Sequence, residues 1–520
     1  MTCTRRSLMM LALGTMCALA SLPGTAQRWQ EAAPRRAEEG QGPFRRLTLD
    51  GVMLIDGTGA PAFGPVSIVV EGNRIARIDS PRGPDAAAPA ADEKVLDLRG
   101  SYVLPGFIDT HMRLLEGDRD MSPDYAMRLL LAHGVTTVAS IQDLEHLQWA
   151  TRLQRQSERN EVVAPRIQVW IDFDAGTPEE ARARVRQAHA GGAAGLGEGS
   201  IDGAPEVAKA LFAEANKLGM RVSWHMNPMQ ANRMNALDAA RAGMHGLAHW
   251  YGLPETLFAD RALQHFPAGY NFSDVRSRFR QSGRLWKQTA PPGSERWSQV
   301  LDEFLKLDFT FEPTFSVYEA NRDYRGVSNA DWHRDYLHPV LEREFTPSTE
   351  GRFAQFYDWS NTDEVAWREN FRLWMAFVNE YKNRGGRVVA GSDSGYMWMN
   401  FGFGYVRNLE MLEEAGFTTL EVVSAATRNG AEHLRLAGQI GTVEPGKLAD
   451  LVVVGHDPLE NLKVLYGTGF LSLGADGTVR TTGGVTHTIK DGIVYDPKAL
   501  LGDVRRIVQQ ARGDRAALAH

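Results

Sequence analysis

Leu104-Pro105-Gly106-Phe107-Ile108-Asp109-Thr110-His111-Met112-Arg113 is an apolar run that ends in a histidine and, two residues on, an arginine. Val103 to Ile108 reads as a fully buried strand, and uninterrupted runs of this kind belong to parallel sheets covered on both faces. Residues at i and i+2 of a strand point the same way, so His111 and Arg113 are expected to project together from its C-terminal end. That end is where a (β/α)8 barrel carries its chemistry.

Downstream of this stretch, apolar strand-like runs alternate with helical patterns, the rhythm of a parallel barrel. Eight strands are expected: Val103 to His111, Val135 to Ser140, Arg166 to Ile171, Ala194 to Glu198, Arg221 to His225, Gly246 to His249, Phe309 to Phe315, and Arg387 to Asp393. Helices fill the gaps, as in Glu179 to Ala190, where Thr177-Pro178-Glu179-Glu180 supplies a cap and first turn. Two connections, 254–308 and 316–384, are long for a minimal barrel, and long loops at the C-terminal face make lids or substrate walls. The second is rich in aromatics, among them Tyr318, Trp332, Phe345, Trp367, Phe371 and Trp374, which are expected to form the core of a helical subdomain that shapes the pocket.

Both ends of the chain have a different character. Short alternating strands run over Leu47 to Leu54, Val66 to Val70 and Ile75 to Ile78, and the style returns in Asp450 to Val454 and Thr486 to Val494. The expected fold is therefore α/β: a TIM barrel (103–436) with one small β-sandwich built from both termini (44–102 and 437–500) and a helical, aromatic-rich insertion. Residues 27–43 read as a flexible lead and 501–520 as a tail.

The chain has 520 residues, 43% hydrophobic and 23% charged, enough for a large core and a second domain. Its net charge of -7 implies no general attraction to nucleic acid or anionic membrane. Arg5-Arg6 followed by the apolar run Leu8 to Leu22 and small residues up to Ala26 reads as a cleaved signal peptide, so a secreted or periplasmic protein without membrane association is expected. Both cysteines, Cys3 and Cys17, lie inside that segment, which removes disulfides and thiolate chemistry from the mature chain.

Pro105-Gly106-Phe107-Ile108-Asp109-Thr110-His111 resembles the first-strand signature of the metal-dependent amidohydrolase superfamily, in its imidazolonepropionase and Xaa-Pro dipeptidase-like branch. Three further segments are similar to that family: Val222-Ser223-Trp224-His225 and Gly246-Leu247-Ala248-His249 to its fifth- and sixth-strand histidines, and Val389-Ala390-Gly391-Ser392-Asp393-Ser394-Gly395 to its eighth-strand aspartate. Ile440-Gly441-Thr442-Val443-Glu444-Pro445-Gly446-Lys447-Leu448-Ala449-Asp450-Leu451 resembles its C-terminal signature. The resemblance implies a TIM barrel, a hydrolase and bound metal, with a homo-oligomer as the usual assembly.

Two positions depart from the family. Its first strand ends His-x-His, whereas this chain has His111-Met112-Arg113, and the strand-four lysine falls on Gly197. A guanidinium stays protonated and has no lone pair to give a metal. A two-metal site of the usual kind is thus not expected. One divalent metal remains, zinc by its ligand types, held by His225, His249 and Glu198, a set like that of the one-metal N-acetylglucosamine-6-phosphate deacetylases. In the resulting expectation Asp393 is the general base and then acid for cleavage of an amide, peptide-like or cyclic amide bond. His111 stabilises the oxyanion or completes the metal shell. For Arg113 three roles stand open: a pair with Asp393, a clamp for the carboxylate of a bulky small-molecule substrate, or a structural ion pair. A metal-independent lyase or isomerase and a ligand-binding pseudoenzyme are the alternative functions.

Overall fold

The computed structural model describes residues 30–83, 88–114, 120–198 and 204–518. The expected signal segment and both cysteines lie outside them.

Eight parallel strands form one curled sheet in chain order: Phe107–Met112, Val135–Asp143, Arg166–Asp172, Gly195–Glu198, Arg221–His225, Gly246–Ala248, Thr310–Glu312 and Arg387–Val388. Backbone bonds bridge its two edges, from Thr110 N to Ala390 O at 3.1 Å and from Asp393 N to His111 O at 2.7 Å. Helices return the chain between strands, and their starts follow the capping residues. Ser122 accepts from Asp124 N to open Pro123–Ala132, and Thr177 accepts from Glu180 N to open Pro178–Ala190.

The apolar run that was expected as a single strand is two. Tyr102–Pro105 pairs with Leu451–Val454 in the terminal domain, and Phe107–Met112 pairs with Val135–Asp143 in the barrel. Gly106 joins them and donates its N–H to Asp450 O at 2.7 Å. The chain passes from one sheet to the other here because each half already has a hydrogen-bonding neighbour on its own side.

The terminal strands make a second sheet of eight: Ile493–Tyr495, Val485–Lys490, Leu451–Val454, Tyr102–Pro105, Arg46–Leu54, Phe63–Glu71 and Arg74–Asp79 in spatial order, with Glu93–Asp97 also paired to Arg46–Leu54. Both termini do contribute, and the strands form one branched sheet wrapped on a core that includes Leu47, Ile68, Val103, Leu451 and Ile489. Arg166 of the third barrel strand ties the two units together, reaching Asp491 at 2.6 Å and Asp450 at 3.1 Å.

Two expectations about the ends are corrected. From residue 30 the lead is docked: Ala33 N donates to Asp124, Arg35 Nε donates to Asn160 O, and Gln41 forms a bridge with Val494. The tail is the helix Pro497–Leu518, which buries Leu500, Leu501, Val504 and Val508, four apolar residues at helical spacing.

In the long insertion the aromatics are mostly core. Ser360 and Asp363 form a capping box at the start of Asn361–Asn383, whose Trp367, Phe371 and Trp374 are buried. Tyr357 is exposed. Tyr318 stacks on Trp367, with ring centroids 5.8 Å apart, and also reaches the barrel mouth.

Candidate metal centre

The site is assembled at the C-terminal ends of strands one, six, seven and eight. Asp109, two residues before His111, is fully buried and accepts from Ser392 N at 2.9 Å and Ser392 Oγ at 2.5 Å, which locks the loop after strand eight onto strand one. Burial pushes the Asp109 carboxyl up to about 7. That loop then places Asp393 with its N–H on His111 O and its backbone at φ 49°. His249, just past strand six, has φ 61° and donates its N–H to Glu312 O at 2.9 Å. Thr314, two residues past strand seven, has φ 47°. Three non-glycine residues in the left-handed region at one spot represent about 1–3 kcal/mol of strain each, held by the surrounding structure.

The hydrogen bonds fix the imidazoles. Thr314 Oγ1 donates to Pro313 O at 2.7 Å, so its single proton is used and it must accept from His249 Nδ1, 2.5 Å away. His249 therefore carries its proton on Nδ1 and leaves Nε2 bare. His111 Nδ1 lies 2.9 Å from Glu312 Oε2, a carboxylate that accepts, which directs His111 in the same way. The two Nε2 atoms converge on one carboxylate: His249 Nε2 is 3.7 Å from Asp393 Oδ2, and His111 Nε2 is 4.0 Å from Asp393 Oδ1. One donor atom from each of these three residues lies within 4.8 Å of the others. His249 is held neutral, its basicity lowered well below the usual imidazole value first by burial, then by His225, His111 and Arg113. Two bare imidazole nitrogens, each with its far nitrogen donating to an oxygen, and one carboxylate make a donor set that fits a divalent ion of the zinc type.

The other expected residues lie around this cluster. His225 stands beside His249 with ring centroids 4.4 Å apart and stacks on Tyr251 at 6.0 Å. The backbone of Glu198 pairs with Asp172 in the sheet, and its side chain lies outside the description. At Gly197 a Cβ would stand 2.7 Å from Ile141 Cδ1, so the space that a strand-four lysine needs is filled by an isoleucine. Tyr318 from the insertion faces His249 at 5.5 Å.

Arg113 does not pair with Asp393. Its guanidinium donates to Asp172 Oδ2 at 2.5 Å and stands 3.9 Å from Asp143. A register shift against strand two lies between Asp109 and Met112, just ahead of Arg113. Glu312 and Thr314 did not stand out in the sequence. Their signal is faint: a carboxylate between phenylalanine and proline at the end of an apolar strand, Phe311-Glu312-Pro313-Thr314.

Comparison with known proteins adds to this geometry. The profile of the Amidohydrolase family matches residues 374–494. Adenine deaminase 2 of Desulfotalea psychrophila is 27% identical over 162 residues, a segment covering 28% of this chain and 28% of that relative, so the match spans under a third of its length. Among solved structures, a Xaa-Pro dipeptidase with bound methionine in its active site superposes with TM-score 0.58 at 19% identity, covering 87% of this chain and all of that one. A bottromycin amidohydrolase gives TM-score 0.59 at 19% identity over 90% of this chain and 91% of its own.

Proposed function

We propose that the chain is a member of the amidohydrolase superfamily and that it hydrolyses a carbon–nitrogen bond of a small molecule. The bond is an amide, peptide-like or cyclic amide, and one divalent metal is held by His111, His249 and Asp393 with His225 alongside. The observation that carries this reading is the convergence of two bare Nε2 atoms and a carboxylate at the mouth of the barrel. A divalent ion in such a set acidifies water and polarises a carbonyl.

This chain's residues do the rest. Asp393 has one oxygen toward each imidazole, so its carboxylate is placed to accept a proton from the attacking water and return it to the leaving nitrogen. Arg113, anchored by Asp172, keeps a fixed positive charge near His249 and favours that ring's neutral form. Tyr318 and Tyr251 pack against the rings of His249 and His225 and give the site an aromatic surround. The N-terminal Arg5-Arg6 and apolar run support export of the protein; among the described residues no helix is long and apolar enough to cross a membrane.

The test is the metal-to-protein ratio of purified protein, measured together with hydrolysis of a panel of N-acyl amino acids and dipeptides before and after chelation. About one zinc-type ion per chain and chelator-sensitive turnover are expected. Unaltered turnover by metal-free protein would overturn the reading.

A further inference from the structure

Glu312 is a charged residue with no solvent exposure at all. Strand alternation explains where it points: Phe311 packs outward against Phe304, Phe377 and Tyr381, so its successor faces the barrel interior. There Oε2 receives His111 Nδ1 at 2.9 Å, with Ser223 Oγ 3.5 Å away, while the buried Oε1 has no hydrogen-bond partner among the described residues. A carboxylate buried with one oxygen unsatisfied is destabilising, and an amide or an apolar side chain of the same size would serve packing better. The backbone carbonyl of the same residue accepts the backbone N–H of His249 at 2.9 Å, so one residue holds the ring of one histidine and the main chain of the other.

We infer that Glu312 is a positioning residue for the metal centre: its side chain sets the tautomer and orientation of His111, and its carbonyl sets the placement of His249. This rests on the metal reading for its purpose, but its first consequence, the state of the His111 ring, stands apart from any metal. Through Glu312, His111 presents a bare Nε2 to Asp393. Without it, the ring is free to turn or to move its proton to Nε2, and the donor set loses a member.

The experiment compares wild type, Glu312→Gln and Glu312→Leu, each metal-free and labelled with nitrogen-15 histidine, with His111 assigned through His111→Asn. Long-range proton–nitrogen correlation spectra report the tautomer. Wild type is expected to hold His111 with Nδ1 protonated. Gln, which offers an amide oxygen in the same place, is expected to keep that form, and Leu to lose it. Zinc affinity, read by competition with a chromogenic chelator, should fall about 10- to 100-fold in Leu and less than about tenfold in Gln. The melting temperature of the metal-free Gln variant, which keeps an acceptor for His111 and removes the buried charge, should stay level or rise, which a carboxylate retained only for stability would not permit. Should Leu fail to fold, Glu312→Asp carries the same comparison, since it keeps the charge but withdraws the oxygen from His111. An unchanged His111 tautomer in the Leu or Asp variant overturns the inference. Wild type that takes up no zinc overturns the metal reading instead, and the tautomer comparison still decides Glu312.

Discussion

His249 Nε2 stands 3.7 Å from Asp393 Oδ2, and both residues hold left-handed backbones although neither is glycine. Such conformations persist only where neighbours over-determine them. Here those neighbours are backbone bonds to Glu312 O and His111 O. The consequence is a site preorganised by the loops that follow strands six and eight, the two neighbours of strand seven.

Asp393→Asn removes the carboxylate's charge and its capacity to take a proton while keeping its shape. The expected result is a loss of about 10²- to 10⁴-fold in kcat/KM, with weaker zinc binding as well. Steady-state kinetics at saturating zinc check it, and full activity in the variant would remove Asp393 from the mechanism.

Gly391→Ala places a Cβ 2.7 Å from His111 Cβ and 3.0 Å from Glu312 Cγ. Overpacking at this point is expected to lower stability by about 1–3 kcal/mol. It also displaces His111 from Glu312, so zinc affinity should drop at the same time. Denaturant unfolding and chelator competition on one preparation would show whether the two losses travel together.

Thr314→Val keeps the side chain's shape and removes the oxygen that accepts from His249 Nδ1. A buried N–H left without a partner is destabilising by about 1–3 kcal/mol. Turnover should fall more than the stability loss explains, because His249 is then free to hold its proton on Nε2. A variant with wild-type kinetics would show that His249 does not need this acceptor.

Arg166→Leu leaves the buried carboxylates of Asp450 and Asp491 without their shared guanidinium. Burial already pushes the Asp450 carboxyl up, and Arg166 is the leading opposing charge for both aspartates. Breaking a buried pair in this way is expected to destabilise the protein by about 3–5 kcal/mol. The double change of both aspartates to Asn in the Leu background should recover part of it, as thermal unfolding would record.

His133 sets an acid limit on the fold. It is fully buried, its Nδ1 lies 2.7 Å from Leu129 O, and burial lowers its basicity from the ordinary 6.5 to about 4. Above pH 6.5 both folded and unfolded forms are neutral, so nothing is lost. As pH falls from 6.5 to about 4 the unfolded chain takes up a proton that the folded one refuses, and stability declines by on the order of 3 kcal/mol. His245 and His338, also lowered to about 4 mainly by burial, act with the same sign. Urea unfolding of His133→Gln should show a shallower decline across that window; an unchanged decline would clear His133 of the effect.

The sequence by itself determined the barrel, because a parallel strand buried on both faces needs an unbroken apolar run and each run was visible, from Phe107-Ile108 to Val388-Val389. It also indicated that both ends of the chain join in one β-domain, expected as a sandwich where the structure has one branched sheet, and its strand-end motifs named His111, His249 and Asp393 among the candidates while giving the metal to His225, His249 and Glu198. The departures at Arg113 and Gly197 were plain as well, since they concern which atoms exist and not where they go. Tertiary structure alone decided the remainder. The partner of Arg113 is Asp172, brought to it from strand three by closure of the sheet, which leaves no mark in residue type. The division of the opening stretch at Gly106 depends on which sheet offers each half a neighbour. The role of Glu312 depends on a contact with His111 across 201 positions of chain. Alternation told only that such a residue faces inward; what it meets there is set by closure of the barrel, which brings strand seven beside the last strand, and that one against the first.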